Sequence, residues 1–213
     1  MRSRWVMAVV CAVGLVVGSD ALGQILTNVS FEEGMTGWET FGTGWRASKD
    51  SNDTHSGAAG IVNDVYEGDK EEWRGVSQAV PAKHRELYSG SVWIRSLQVG
   101  QAEGSLEFQF LGDKKVLEVK QSDPVNSDQP FTRVEIRDVE PPKGTDTLLV
   151  RGIVHMKKPP DKETDFFIFD DFELSVTNKS SKSGNGGKVM TPAERIKSRQ
   201  ERMKNRQSLP AQP

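Results

Sequence analysis

Cysteine is almost absent: the one copy in 213 residues is Cys11, inside a leading apolar run. The remainder of the chain has no disulfide to brace it, no thiol nucleophile and no thiolate for a zinc ion. A packed core or a bound metal must hold it together. Histidine is scarce too, and His55, His84 and His155 lie far apart, none in a His-Glu-x-x-His pair. There is no Gly-x-Ser-x-Gly nucleophile elbow, no internal repeat, and no three-turn amphipathic helix between Gln24 and Asn178. A glycosidase needs two carboxylates facing each other across a cleft. Asp170 and Asp171 are adjacent, and neighbours in a strand are expected to point to opposite faces. These absences argue against an enzyme.

Only one long apolar run exists, Trp5 to Val17. It falls short of the roughly 20 apolar residues that span a bilayer. Arg2 and Arg4 precede it and Ala21-Leu22-Gly23 follows it, so residues 1–23 read as a signal peptide. The alternative is a signal anchor that stays in the membrane. Val10 stands before Cys11 where lipid attachment needs a small residue, which argues against a lipoprotein. The expected localisation is secreted, periplasmic or cell surface. Cleavage would leave about 190 residues, one ordinary domain with extensions.

The formal net charge of −2 conceals an asymmetry. Residues 24–178 hold 17 basic and 27 acidic side chains, whereas Lys179 to Pro213 holds 9 and 2. An acidic body repels phosphate, so nucleic acid is not an expected partner. Attraction to an anionic surface would fall to the tail. Residues 179–190 are Ser, Gly, Asn and Lys, the makeup of a flexible linker. Residues 191–213 form a basic tail, where Thr191-Pro192-Ala193-Glu194 has the cap and first-turn pattern of a short helix.

Residues 24–178 carry strand signals. Tyr88, Gly90, Val92 and Ile94 alternate with Ser89, Ser91, Trp93 and Arg95. Leu106, Phe108 and Phe110 alternate with Glu107 and Gln109, and Val134 and Ile136 with Arg133, Glu135 and Arg137. Leu148 to His155 and Phe166 to Val176 are further strands. Short strands punctuated by turns predict an all-β β-sandwich of antiparallel sheets, not an α/β fold.

The opening Asn28-Val29-Ser30-Phe31-Glu32-Glu33-Gly34-Met35-Thr36-Gly37-Trp38 resembles the start of CenC-like carbohydrate-binding modules, galactose-binding-like jelly rolls. Three further pieces follow in that family's order. His55-Ser56-Gly57 resembles its turn into a strand. Gly75 to Val80 and then Tyr88 to Trp93 resemble two of its strands, and Phe169-Asp170-Asp171-Phe172 its closing one. Lys83 to Leu87 departs from the family's Pro-Gly, which reads as a different turn. The likeness spans Ile25 to Val176.

The resemblance implies a structural calcium ion (Ca2+). Its ligands would be the side chains of Glu32 and Asp170, with backbone oxygens near Ser56 and Gly57. Alternation puts Asp170 on the face of Phe172, Leu174 and Val176, and Asp171 outward. The plain alternative is that Glu32 and Asp170 cap turns or pair with lysines. The resemblance also implies a polysaccharide or glycan partner, stacked on exposed aromatics. Trp38 reads as core, and Trp45 is undecided. If Val76, Gln78 and Val80 face inward, Trp73 faces outward beside Gly75 and Ser77, with room for a flat ligand. The family's xylan-binding members place a stacking aromatic on this strand. Trp93, Arg95, Gln109 and Arg151 are outward by the same counting, and together these residues would line one groove. The alternatives are that Trp73 and Trp93 pack under loops, or that the domain is structural or adhesive and binds a protein partner.

Overall fold

The computed structural model describes residues 25–66, 70, 72–158 and 164–178. The expected signal peptide, linker and basic tail lie outside these described residues. Ten strands follow in order: β1 (Glu39–Phe41), β2 (Trp45–Ser48), β3 (Gly60–Val65), β4 (Trp73–Pro81), β5 (Glu86–Leu97), β6 (Ala102–Gly112), β7 (Lys115–Gln121), β8 (Gln129–Val139), β9 (Thr147–Met156) and β10 (Thr164–Asn178). A single 3-10 turn, Ser51–Asp53, interrupts the loop between β2 and β3. Among the described residues no helix is long and apolar enough to cross a membrane.

The strands form two five-stranded sheets, ordered β1-β4-β9-β6-β7 (sheet A) and β2-β3-β10-β5-β8 (sheet B). Every ladder is antiparallel. Sheet A turns Val76, Val80, Leu106, Phe108, Phe110, Leu148, Val150 and Val154 inward. Sheet B answers with Ile61, Tyr88, Val92, Ile94, Phe167, Phe169 and Phe172. Burying such side chains contributes about 1.5–3 kcal/mol each, and with no cysteine in this body the core carries the stability.

Two features depart from simple strand alternation. Residues 25–38 form a chain of turns that caps one end of the sandwich. Phe31, Trp38 and Phe172 meet there, with Trp38 and Phe172 ring centres 4.6 Å apart, and Phe172 N donates to Val29 O at 3.1 Å. The opening segment and the last strand do lie together, but through rings and one backbone bond. In addition, β10 is not a regular strand. Its register shifts between Asp170 and Glu173, and Asp171 sits at φ 49°. Phe169 and Phe172 therefore both reach the core, and the alternation used to orient the two aspartates breaks between them.

Candidate functional site

Antiparallel registration stacks the outward side chains of sheet A into cross-strand rows. One row runs Trp73, His155, Glu103 across β4, β9 and β6. The next is Phe41, Gly75, Ile153, Ser105, and the third is Glu39, Ser77, Arg151, Glu107, Gln121. Ala79, Leu149, Gln109 and Val119 make the fourth.

In the first row, Trp73 is 43% exposed. One face of its indole lies flat on His155, with centroids 3.8 Å apart and planes 5° from parallel. Glu103 fixes the imidazole: its Oε1 is 3.2 Å from His155 Nδ1, and its Oε2 accepts from Lys157 Nζ at 2.6 Å. Burial pushes the Glu103 carboxyl up, but the hydrogen bonds from Lys157 and His155 outweigh it and leave a net downward shift. The indole is thus held on one face by its cross-strand neighbour and remains partly exposed.

In the third row Arg151 Nη1 donates to Glu107 Oε1 at 2.6 Å, and Gln121 Nε2 to Glu107 Oε2 at 2.7 Å. These side chains are only 14% and 7% exposed for Arg151 and Glu107, and Phe41 lies over the arginine. The Arg151 guanidinium sits 4.5 Å from the Phe41 ring centre. Phe41 can lie there because residue 75 is glycine; a Cβ on Gly75 would come within 2.3 Å of the ring. The room expected beside Trp73 is therefore filled by the chain's own phenylalanine. Phe41 and Gln121 were missed from the sequence: β1 is three residues long and β7 is an exposed edge, so neither shows a clear alternation.

The predicted single groove divides in two. Trp73, Gln109 and Arg151 share the outer face of sheet A. Trp93 and Arg95 lie on β5, on the outer face of the opposite sheet. Trp93 is stacked under His55, with centroids 4.0 Å apart, and Phe131 meets the same imidazole edge-on. Arg95 is turned into the loop and donates to Asn52 O. The cover on Trp93 comes from the loop before β3, not from the one after it.

At the capped end, Glu32 and Asp170 converge on the turn from His55 to Ala58. Asp170, fully buried, accepts from His55 N at 2.8 Å and Ser56 N at 3.1 Å, and Glu32 Oε1 accepts from Ala58 N at 2.8 Å. Gly57, at φ 66°, passes so close that a Cβ would fall 2.0 Å from Glu32 Oε1. Asp171 does not turn away from its neighbour: its left-handed backbone returns it to the same turn, at 2.7 Å from His55 Nδ1 and 2.9 Å from Ser56 Oγ. Burial pushes the Asp170 carboxyl up to about 6, against the backbone donors, and the Asp171 charge adds to the rise. Among the described residues no three His, Cys, Asp or Glu side chains gather as a metal cluster. Both carboxylates are met here by N–H donors of the turn, the capping role that these residues also allow. A cation would have their carboxylate oxygens as ligands, which suits calcium, and a buried carboxylate beside a second one is a place where positive charge lowers the energy.

No family model and no curated protein matches the sequence. Solved structures match in fold. A family 61 carbohydrate-binding module in complex with β-1,4-galactotriose has TM-score 0.56 and 19% identity, covering 72% of this chain and 99% of that one. A family 22 xylan-binding domain from Paenibacillus barcinonensis has TM-score 0.51 and 17% identity, over 70% of this chain and 92% of its own. An arabinose-bound α-L-arabinofuranosidase of family 51 has TM-score 0.53 and 12% identity, over 72% of this chain and 26% of that one. The chain shares the β-sandwich fold of these structures. At these identities the likeness establishes the fold, and the function must be argued from the site.

Proposed function

We propose that this chain is an exported, non-catalytic module that binds a β-linked polysaccharide on the outer face of sheet A. The observation that carries the reading is Trp73, a 43% exposed indole held flat by His155. Sugar rings present an apolar C–H face that stacks on such a platform, while their hydroxyls need fixed donors and acceptors nearby. Gln121 and Gln109 supply these two and three rows away, with Gln121 held in place by the buried Arg151–Glu107 pair. Fold neighbours solved with galactotriose or named for xylan support the ligand class. The carboxylates of this face do not form a hydrolytic pair. Glu103 and Glu107 are four residues apart on one strand, about 13 Å, and each is tied to a cationic neighbour.

Calcium at Glu32 and Asp170, with backbone oxygens near Ser56 and Gly57, would pin the opening segment, the turn and the last strand together. Its role is structural. Export rests on the pattern of residues 1–23, and the basic tail would add attraction to an anionic surface.

Affinity electrophoresis through gels containing β-1,4-galactan or β-1,4-xylan tests the reading, with Trp73→Ala beside the wild type. Retardation of the wild type is expected, and loss of the platform should weaken binding by roughly thirty-fold, about 2 kcal/mol. Migration unchanged on every glycan would abandon sugar binding in favour of an adhesive role.

A further inference from the structure

Sheet B has a feature that the sugar-binding face does not explain. Along the middle of its outer face β5 carries only short side chains, Ser89 and Ser91, while the strands on either side carry long ones. Across one row Glu173, Ser91 and Glu135 stand abreast. One row on, Ser175 pairs with Ser89, and Asp138 N donates to Ser89 Oγ at 2.8 Å. The result is a trough of about 490 Å³ whose floor is serine and whose walls are charged. Its volume falls in the range of about 300–1,000 Å³ typical of small-ligand sites.

The walls are preorganised. Arg133 Nη2 donates to Glu173 Oε2 at 2.7 Å and Ser91 Oγ to the same oxygen at 2.9 Å. Arg133 Nη1 and Arg137 Nη2 both donate to Glu135 Oε2, at 3.2 and 2.7 Å. The arginine hydrogen bonds hold the carboxyls of Glu135 and Glu173 below the usual carboxylate range. Two guanidiniums face three carboxylates, counting Asp138, so an anion meets more repulsion than attraction. Ile136 and Leu174 supply the apolar part of a lining that is otherwise mostly polar. A neutral polyhydroxyl ligand fits, because each hydroxyl both donates and accepts and the trough alternates fixed donors with fixed acceptors. The register partner of Arg133 is Trp93, which carries the stacked His55.

We propose that this trough is a second glycan-binding site, back to back with the Trp73 face, so that one module holds two polysaccharide chains. The inference rests on the reading that the domain binds glycans. Two faces on opposite sheets cannot share one short oligosaccharide, so the module would tether neighbouring chains, not grip one chain twice. Binding to a surface dense in glycan would then gain from both contacts.

Calorimetric titration of the full chain with β-1,4-galactotriose and with β-1,4-xylohexaose reads the stoichiometry. Ser175→Trp, an exposed position on β10, fills the trough; Arg133→Met strips one wall; Trp73→Ala removes the other face. Thermal melting confirms that each variant is folded. Two sites per chain are expected for the wild type, one for each single variant, and none for Trp73→Ala combined with Ser175→Trp. Retention on insoluble glycan should fall by roughly a hundred-fold in either single variant as avidity is lost. One site per chain, abolished by Trp73→Ala and untouched by Ser175→Trp and Arg133→Met, would overturn the second site while leaving the first. No heat with either oligosaccharide would remove both.

Discussion

The two outer faces of this sandwich are built from the same strand alternation, yet they end up in different environments. On sheet A the third row buries an ion pair within the sheet itself: Phe41 lies on Arg151, and Glu107 is 7% exposed. On sheet B the loop before β3 does the covering. Val62 and Ile168 point outward there in register with Arg95, yet each is 1% exposed. A Cβ on Gly60 would strike Asp53 O at 2.1 Å, which shows how closely that loop lies. Farther along sheet B the loop ends, and the Arg133–Glu173 pair stands in solvent at 40% and 63% exposure. Alternation decides which side of a sheet a residue takes; what lies over that side decides whether it is wet.

The largest expected effect breaks or upholds this contrast directly. Arg151→Ala leaves the buried Glu107 carboxylate with Gln121 but no cation, and removing one partner of a buried pair costs about 3 kcal/mol. Arg133→Ala breaks a pair of similar length, 2.7 against 2.6 Å, but in water. It should cost about 0.5 kcal/mol. Urea unfolding of both variants makes the comparison; equal costs would mean that the two environments do not differ.

A somewhat smaller loss, about 2 kcal/mol, is expected for Asp170→Ala, which leaves the amides of His55 and Ser56 without their acceptor. The covering loop should loosen with it. Fluorescence of Trp93, isolated by difference against Trp93→Phe, would report that release. In the wild type calcium should raise the melting temperature and a chelator lower it, whereas Asp170→Ala should respond to neither. A wild type indifferent to calcium would leave the clamp to its hydrogen bonds alone. Gly75→Ala follows at about 1–2 kcal/mol, since the methyl displaces the Phe41 ring from its seat. Crystallography of that variant should find Phe41 moved and Arg151 exposed.

Much of the fold was legible because the long central strands bury one face. Tyr88, Val92 and Ile94, Leu106, Phe108 and Phe110, and Leu148, Val150 and Val154 all point where their alternation puts them. The short and exposed pieces were not legible. Glu39-Thr40-Phe41 is too brief for a period, and β7 has exposed side chains on both faces, Val116, Leu117 and Val119 among them. The site was half legible. Parity gave Trp73, Gln109 and Arg151 their outward sense but could not say which sheet each strand joins. Trp93 and Arg95 were placed beside Trp73 when the strand order puts them on the other side. The aspartates were misoriented for a different reason. One left-handed residue, Asp171, resets the count, and aspartate tolerates that conformation well enough to leave no mark in the sequence.

The smallest expected effect concerns what holds the platform. Glu103 steadies His155 beneath Trp73, and its carboxyl is shifted below the 4.5 of an unperturbed glutamate. An acid whose folded value is depressed contributes stability that is fully present above its unfolded value and is lost as pH falls through the folded one. The contribution is about 0.5 kcal/mol, since Lys157, its strongest partner, is half in solvent. Melting of the wild type and Glu103→Gln between pH 7 and pH 3 should therefore show a constant gap above about 4.5 that closes below it. The sheet B acids offer a contrast. Glu173 is also depressed, by Arg133 first and Ser91 next, but it supports no aromatic ring. If glycan binding by Trp73 weakens in step with the closing gap, the platform depends on its support. If binding holds while the gap closes, the stack on His155 keeps the indole in place without the carboxylate.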